Sequence, residues 1–228
     1  MALSHNPRIV TNGLVLCLDA ANPKSYPGSG STWKDLSKTK NSTTIYNSPT
    51  LINNSYFNFD GIDDYCDTGL TASDIGMYDS SYSCESIFSI PNTSGDKHIF
   101  GTIQNSTRTG LHIGVRNSSF YHGHYSADNS LFYPSIVVNK MYHLFWTYDG
   151  TYSRIYVNGE LLDTGAIGSF LGTTNILIAK AFSTSIHYNM NIAIAKIYNR
   201  ALTASEIKQN YNALKGRFNL WPTKTENI

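Results

Sequence analysis

Charge is scarce in this chain. Only 14% of its 228 residues are charged, and 17 basic against 16 acidic side chains leave a net charge of +1. A protein that tracks phosphates needs a basic stripe, so nucleic acid is not an expected partner. Long apolar runs are missing too. None approaches the roughly 18–20 residues a membrane-spanning helix needs, so no membrane role is expected. Cysteine is limited to Cys17, Cys66 and Cys84, widely spaced and without a CxxC pair. That pattern argues against a disulfide framework and a zinc site, and predicts three buried free thiols. The N-terminal MALSHNPRIVTNG has no basic segment leading into an apolar core. No signal peptide is therefore expected, and synthesis in a host cytoplasm is. The chain has no internal repeat.

What is present is β-forming sequence rich in Asn, Ser, Thr, Tyr and Gly, a composition suited to hydrogen-bonding polar ligands. The clearest stretch is Tyr142–Asp163. Tyr142, Leu144, Trp146 and Tyr148 alternate with His143, Phe145 and Thr147, the period of two that a pleated strand imposes. Asp149-Gly150 supplies a turn. Arg154–Val157 alternates again, and Asn158-Gly159 is the strongest short hairpin signal. Glu160–Asp163 returns as a third strand. Further strands are predicted at Gly13–Asp19, Thr43–Tyr46, Tyr56–Asp60, Tyr65–Asp67, Ser81–Ile90, His98–Ile103, Gly110–Arg116, Ser119–Tyr125, Ile136–Val138, Ile176–Ala179 and Met190–Tyr198. Trp33–Leu36 suggests a short helical turn anchored by Trp33. One longer helix is predicted at Ala204–Leu214. Thr203 and Glu206 form a capping box, Ile207, Tyr211 and Leu214 form one apolar stripe, and Gly216 is placed to end it.

A dozen short strands with one late helix predict an all-β, two-sheet antiparallel β-sandwich, or jelly roll. It forms a single domain at residues 13–215, with an arm at 1–12 and a tail at 216–228.

Three motifs carry a resemblance. YHLFWTYDGTYSRIYVNGELL, IAIAKIYNRALTASEIKQNYNAL and FNFDGIDDYCDTG resemble the ordered signatures of laminin-G-like, concanavalin A-like lectin/glucanase domains. The match runs from about Gly13 to Leu214. The opening, MALSHNPRIVTNGLVLCLDAANPKSYPGSGSTWKDLS, resembles the start of standalone laminin-G-like proteins of tailed phages, especially marine ones. That resemblance implies a virion location, with capsid or tail proteins as partners. The chain departs from the family at His143-Leu144, where two His are frequent, and at Met190-Asn191, where a Gly is usual.

Such a fold hosts many functions, so function has to come from a site. Relatives that hydrolyse glucans carry a pair of carboxylates in an E-x-D-x-x-E strand. Here Glu85, in SCESIFS, has no acidic residue at i+2 through i+5. A non-enzymatic role is therefore expected, with no catalytic residue. The best binding segment is Phe120–Tyr133. Tyr121, Tyr125 and Tyr133, with Phe132, offer rings for a sugar face, and His122, His124, Asp128 and Asn129 offer hydrogen bonds to hydroxyls. His122 and His124 also share one strand face, as a metal pair would, but no third ligand is apparent and a polar strand edge is the plainer expectation. Asp60, Asp63 and Asp64 could ligate Ca²⁺ or simply cap their turn. No other cofactor is expected. Asp149 and Asp163 pose the same choice between cation and turn. Ile9 and Val10 of the arm, and Phe218, Leu220 and Trp221 of the tail, are candidate anchors to a larger particle or else pack back on the sandwich.

These expectations converge on a phage virion surface protein, a capsid decoration or a tail or fibre component, with a saccharide-binding face. A cell-surface glycan and further copies of the chain are additional expected partners, since multivalency raises weak sugar affinity. A free lectin is the first alternative and a glycoside hydrolase the second.

Overall fold

The computed structural model describes residues 7–127, 130–132 and 136–220. Among these, sixteen strands precede one helix. They are β1 (Leu14–Asp19), β2 (Thr32–Lys34), β3 (Ser42–Tyr46), β4 (Thr50–Ile52), β5 (Tyr56–Asp60), β6 (Tyr65–Asp67), β7 (Tyr82–Ser89) and β8 (Asp96–Gly101). There follow β9 (Leu111–Arg116), β10 (Ser119–His124), β11 (Ser130–Phe132), β12 (Tyr142–Tyr148), β13 (Tyr152–Val157), β14 (Glu160–Ala166), β15 (Leu177–Ile178) and β16 (Asn189–Tyr198), then α1 (Ala204–Leu214). All ladders are antiparallel and form two eight-stranded sheets. The first runs β14-β13-β12-β7-β16-β5-β4, with β1 also on β16. The second runs β11-β10-β9-β8-β15-β6-β3-β2. The predicted β-sandwich is what forms.

The ten-residue β16 is long enough to serve two neighbours on one edge. Its first half pairs with β5 and, past an irregularity at Ile192–Ile194, its second half pairs with β1. The meander forms as its alternation demands. Tyr142, Leu144, Trp146 and Tyr148 enter the inter-sheet core, while Phe145 packs on the other face with Ile207 of α1. Asn158 and Gly159 both adopt positive φ, at 51° and 81°, which the tight hairpin requires. At Asp60–Gly61 the chain turns with φ of 78°, and a Cβ on Gly61 would sit 2.6 Å from the Asn189 nitrogen. Only glycine fits both conditions. The three thiols are buried and unpaired, as predicted.

Helix α1 starts at the predicted capping box, with Thr203 and Glu206 exchanging bonds. Ile207, Tyr211 and Leu214 bury the predicted stripe against Phe145, Tyr198, Ile87 and Ile194. Its end differs from expectation, because Lys215 stays right-handed and serves as the cap instead of Gly216.

Several local expectations are corrected. Trp33 anchors the core, edge-on to Phe57 at 4.9 Å, but from a strand rather than a helical turn. Asp35 prevents the helix by bonding away from it, accepting from the Cys17 and Asn41 amides at 2.7 and 2.9 Å. Ile136–Val138 is not a strand. Val137 and Val138 are exposed, and Asn139 turns the chain with φ of 60°. Thr50–Ile52 and Ser130–Phe132 are short strands without a strand-like sequence signal.

Beneath α1 lies a buried polar cluster on the outer face of the first sheet. Glu85 Oε1 accepts from Lys196 Nζ at 2.8 Å and His143 Nε2 at 2.9 Å. Its Oε2 accepts from Asn210 Nδ2 at 2.8 Å and Tyr198 Oη at 3.2 Å. Burial opposes ionisation of Glu85, but Lys196 and the His143 bond outweigh it and hold the carboxyl at about 2. Asn210 Oδ1 in turn accepts from the Val10 amide at 2.7 Å, which ties the arm to the helix.

Removing one partner of such a buried pair strands the other. We expect Lys196→Met to cost about 3–5 kcal/mol in denaturant unfolding. Lys208→Ala, which breaks the exposed Lys208–Glu160 pair, should change the midpoint little. Equal effects would show that the cluster is not held as described.

Candidate functional site

Strand β10 alternates as predicted, but the alternation sends its residues elsewhere than a sugar platform. His122 and His124 are fully buried and turned inward. Both Nε2 atoms lie 2.6 Å from Tyr82 Oη. His124 Nδ1 meets the Gly168 carbonyl at 2.5 Å, and His122 Nδ1 meets Ser153 Oγ at 2.5 Å. A carbonyl only accepts, so His124 carries its proton on Nδ1 and takes the Tyr82 proton at Nε2. Tyr82 then accepts from His122 Nε2, and His122 Nδ1 accepts from Ser153. The chain of bonds closes with both rings neutral. Desolvation pushes both imidazoles below their ordinary value, His124 to about 4. The expectation of a ligand-facing pair or a polar edge is thus corrected. The two histidines are an interior brace, and β10 lies inside its sheet, between β9 and β11.

Tyr121 faces outward but is 1% exposed, with the Arg116 guanidinium 4.0 Å over its ring and Arg116 Nη1 donating to its hydroxyl at 2.7 Å. Tyr125 is half-buried against His112 and Phe182. The Tyr121 ring offers no open face to a sugar, and that of Tyr125 is partly covered. Asp128, Asn129 and Tyr133 lie outside the described residues.

The termini pack back. Val10 is buried among Phe145, Tyr156 and Ile207. Leu220 is 2% exposed and its carbonyl accepts from Tyr211 Oη at 2.6 Å. Ile9 and Phe218 lean on the same cluster. These four side chains therefore belong to the sandwich surface, and Trp221 lies outside the described residues. In the acidic turn, ligand atoms of Asp60, Asp63 and Asp64 lie within 4.8 Å of one another. Two of them already cap backbone. Asp60 Oδ1 accepts from the Ile62 amide at 2.7 Å, and Asp64 Oδ2 from the Asp60 amide at 3.1 Å. Asp149 likewise accepts from the amides of Thr151 and Tyr152, and Asp163 from that of Thr164.

Among the concavities of the described residues, two bring charged and polar side chains of distant segments together. One, of about 590 Å³, opens at one end of the sandwich around Arg108, Asp79, Tyr148 and Ser169. Its cation is spoken for: Arg108 Nε donates to the Ser169 carbonyl at 2.9 Å, and Nη2 lies 3.6 Å from Asp79. The His124–Gly168 bond braces its floor.

The other, of about 360 Å³, lies on the outer face of the second sheet. Cys66 is in the core, so its neighbours Tyr65 and Asp67 point out. They face Thr174, Asn175, Lys180 and Thr184 across β15. Gln104 pins the wall, its Oε1 accepting from the Thr173 amide at 2.7 Å and Nε2 donating to Thr173 Oγ1 at 3.1 Å. Asn175 Nδ2 donates to Asp67 Oδ1 at 3.0 Å. Lys180 Nζ sits 3.8 Å over the Tyr65 ring, whose other face is stacked on Tyr46 at 4.5 Å. Desolvation lowers the Lys180 ammonium from its ordinary value, partly offset by Asp67. Tyr65 and Asp67 were legible as outward neighbours of a buried cysteine. Asn175 and Lys180, more than a hundred residues on, carried no local signal.

Two antiparallel sheets with an aromatic and polar groove on one outer face define a lectin-like β-sandwich. The chain belongs to the concanavalin A-like lectin/glucanases superfamily, whose family model matches residues 60–208. No curated protein matches it. Among solved structures it is similar to Trypanosoma rangeli sialidase, with a TM-score of 0.67 and 18% identity, over 93% of this chain and 36% of that one. It is also similar to the ligand-binding domain of botulinum neurotoxin serotype D in complex with N-acetylneuraminic acid, with a TM-score of 0.66 and 16% identity, over 89% and 51%. The chain thus spans about a third and a half of these neighbours, and the likeness is one of fold.

The buried histidines make stability pH-dependent. Burial depresses His122, His124 and His143, while in the unfolded chain an imidazole titrates near its ordinary value of 6.5. Below that value the unfolded state takes up protons that the folded state refuses. Their stabilisation is therefore full above pH 6.5 and is lost as pH falls, by about 1.4 kcal/mol per pH unit for each such histidine. Glu85 adds a second loss between its ordinary value of 4.5 and about 2. Melting temperatures measured from pH 8 to 4 should hold steady to about 6.5 and then drop. A flat profile would contradict the neutral, sealed assignment.

Proposed function

We propose that this chain is a non-enzymatic, lectin-like module that binds a glycan in the Tyr65–Lys180 groove and is displayed on a phage particle. The observation that carries the binding role is the groove itself. It places an amide, a carboxylate, an ammonium and two hydroxyl-bearing threonines around one open space of about 360 Å³, within the range of ordinary ligand sites. Sugars are bound by such mixed donor and acceptor sets. Sialidases and a domain solved with N-acetylneuraminic acid share the fold, which supports glycans as the ligand class.

A non-enzymatic role is supported by the carboxylates. Glycoside hydrolysis needs two of them flanking one bond. Asp67 is the single carboxylate lining the groove among the described residues. Glu85 is sealed and occupied by four partners. Display on a particle rests on the likeness of the first 37 residues to phage proteins. Because Val10 and Leu220 are committed to the sandwich, attachment falls to surfaces other than those two side chains.

On a glycan array the full chain should bind a defined set of sugars without turning them over. Asn175→Ala should weaken that binding about tenfold, the loss of one or two ligand hydrogen bonds. Binding that survives Asn175→Ala undiminished would remove the groove from the role. Mass spectrometry of purified particles should find the chain in fixed ratio to the major capsid protein, and its absence would sink the virion assignment.

A further inference from the structure

The structure buries three lysines, Lys97, Lys180 and Lys196. Two have acceptors: Lys97 Nζ donates to the Ser94 carbonyl at 2.7 Å, and Lys196 Nζ to Glu85 at 2.8 Å. Lys180, 7% exposed, differs. Among the described residues its ammonium has no hydrogen-bond acceptor and no carboxylate within salt-bridge reach, and it lies 3.8 Å over the Tyr65 ring. An ammonium has three donors, and those of Lys180 open onto the groove it lines, available to whatever enters. The nearest acid does not take them up. Asp67 Oδ1 accepts from the Gly69 amide at 2.8 Å, and both its oxygens are approached by Asn175 Nδ2, at 3.0 and 3.3 Å.

The ring beneath Lys180 has a related meaning. Tyr65 is covered on one face by Tyr46, parallel to within 2°, and on the other by Lys180. It cannot stack on a sugar. Its electron-rich face instead holds the cation at the groove wall, aimed at whatever enters. The groove is therefore organised around a charge and not around a stacking platform.

We propose that the groove selects an anionic saccharide, whose carboxylate or sulfate group is received by Lys180 Nζ, with Asn175, Thr174 and Thr184 meeting the hydroxyls. This deepens the glycan-binding role proposed above and rests on it. An incoming anion would meet the ammonium's open donors in a charge-assisted bond strengthened by partial desolvation. A neutral sugar could accept from the ammonium only through hydroxyl oxygens, without the charge-assisted bond that an anion makes.

The test is calorimetry of the full chain with matched glycans: carboxylated, the same glycans as carboxamides, sulfated, and neutral. The anionic forms should bind at least about tenfold tighter than the neutral ones, with the advantage shrinking as salt rises. Carboxylated against sulfated ligands identifies which anion is preferred. Lys180→Met should abolish the preference, and Lys180→Arg should retain part of it. Because the Lys180 ammonium makes no hydrogen bond or ion pair to the protein among the described residues, Lys180→Met should leave the melting temperature close to that of the parent, which separates lost recognition from lost folding. Equal affinity for anionic and neutral forms, or a preference that survives Lys180→Met, overturns the charge-based selection and leaves glycan binding standing. Binding of no glycan at all overturns both.

Discussion

Everything on the outer side of the first sheet depends on one buried carboxylate. Glu85 sits on β7, a central strand, and is fully buried there. Unpaired, it would destabilise the fold or take up a proton. It is instead met from four directions: Lys196 on β16, His143 on β12, Tyr198 on β16 and Asn210 on α1. The geometry chooses the partners so that strand, strand and helix are coupled through a single group. Asn210 extends the coupling, because its carbonyl oxygen accepts from Val10 and so draws the N-terminal arm across the helix. The segment at Val10 and helix α1 are thereby held on the sheet by polar bonds as well as by the apolar stripe of α1.

The interior between the sheets has its own polar brace. The run Ser153–His122–Tyr82–His124–Gly168 joins β13, β10, β7 and the loop at the sandwich end. The two bonds in which a ring nitrogen accepts, Tyr82 to His124 and Ser153 to His122, demand neutral rings, so the brace works only where protons are excluded. With the first sheet's outer face occupied by α1 and the interior sealed, the second sheet's outer face is where polar side chains meet a concave space. The Tyr65–Lys180 groove lies there, its wall set by Gln104 and its cation seated on an aromatic ring.

Local chemistry was legible in the chain. The meander, the Asn158-Gly159 hairpin, the capping box at Thr203 and the burial of Trp33 each follow from nearest-neighbour rules of turn geometry, alternation and capping. The strand at Thr32–Lys34 was not legible, because its helical alternative lost to bonds that Asp35 makes with Cys17 and Asn41. For β10 the alternation was legible and the direction was not. Period two says that His122 and His124 share a face, but which face is inside depends on whether a partner such as Tyr82 waits there.

The sequence by itself determined an all-β sandwich with one capped helix and free buried thiols, since these rest on composition and on contacts within a few residues. Tertiary structure alone decided which aromatic and histidine residues were walls and which were faces. It alone paired Glu85 with groups more than fifty residues away, and brought Asn175 and Lys180 beside Tyr65 and Asp67. The physical reason is that satisfying a buried charge, or leaving one unsatisfied, is a property of the whole packed surroundings, and no segment of the chain carries it alone.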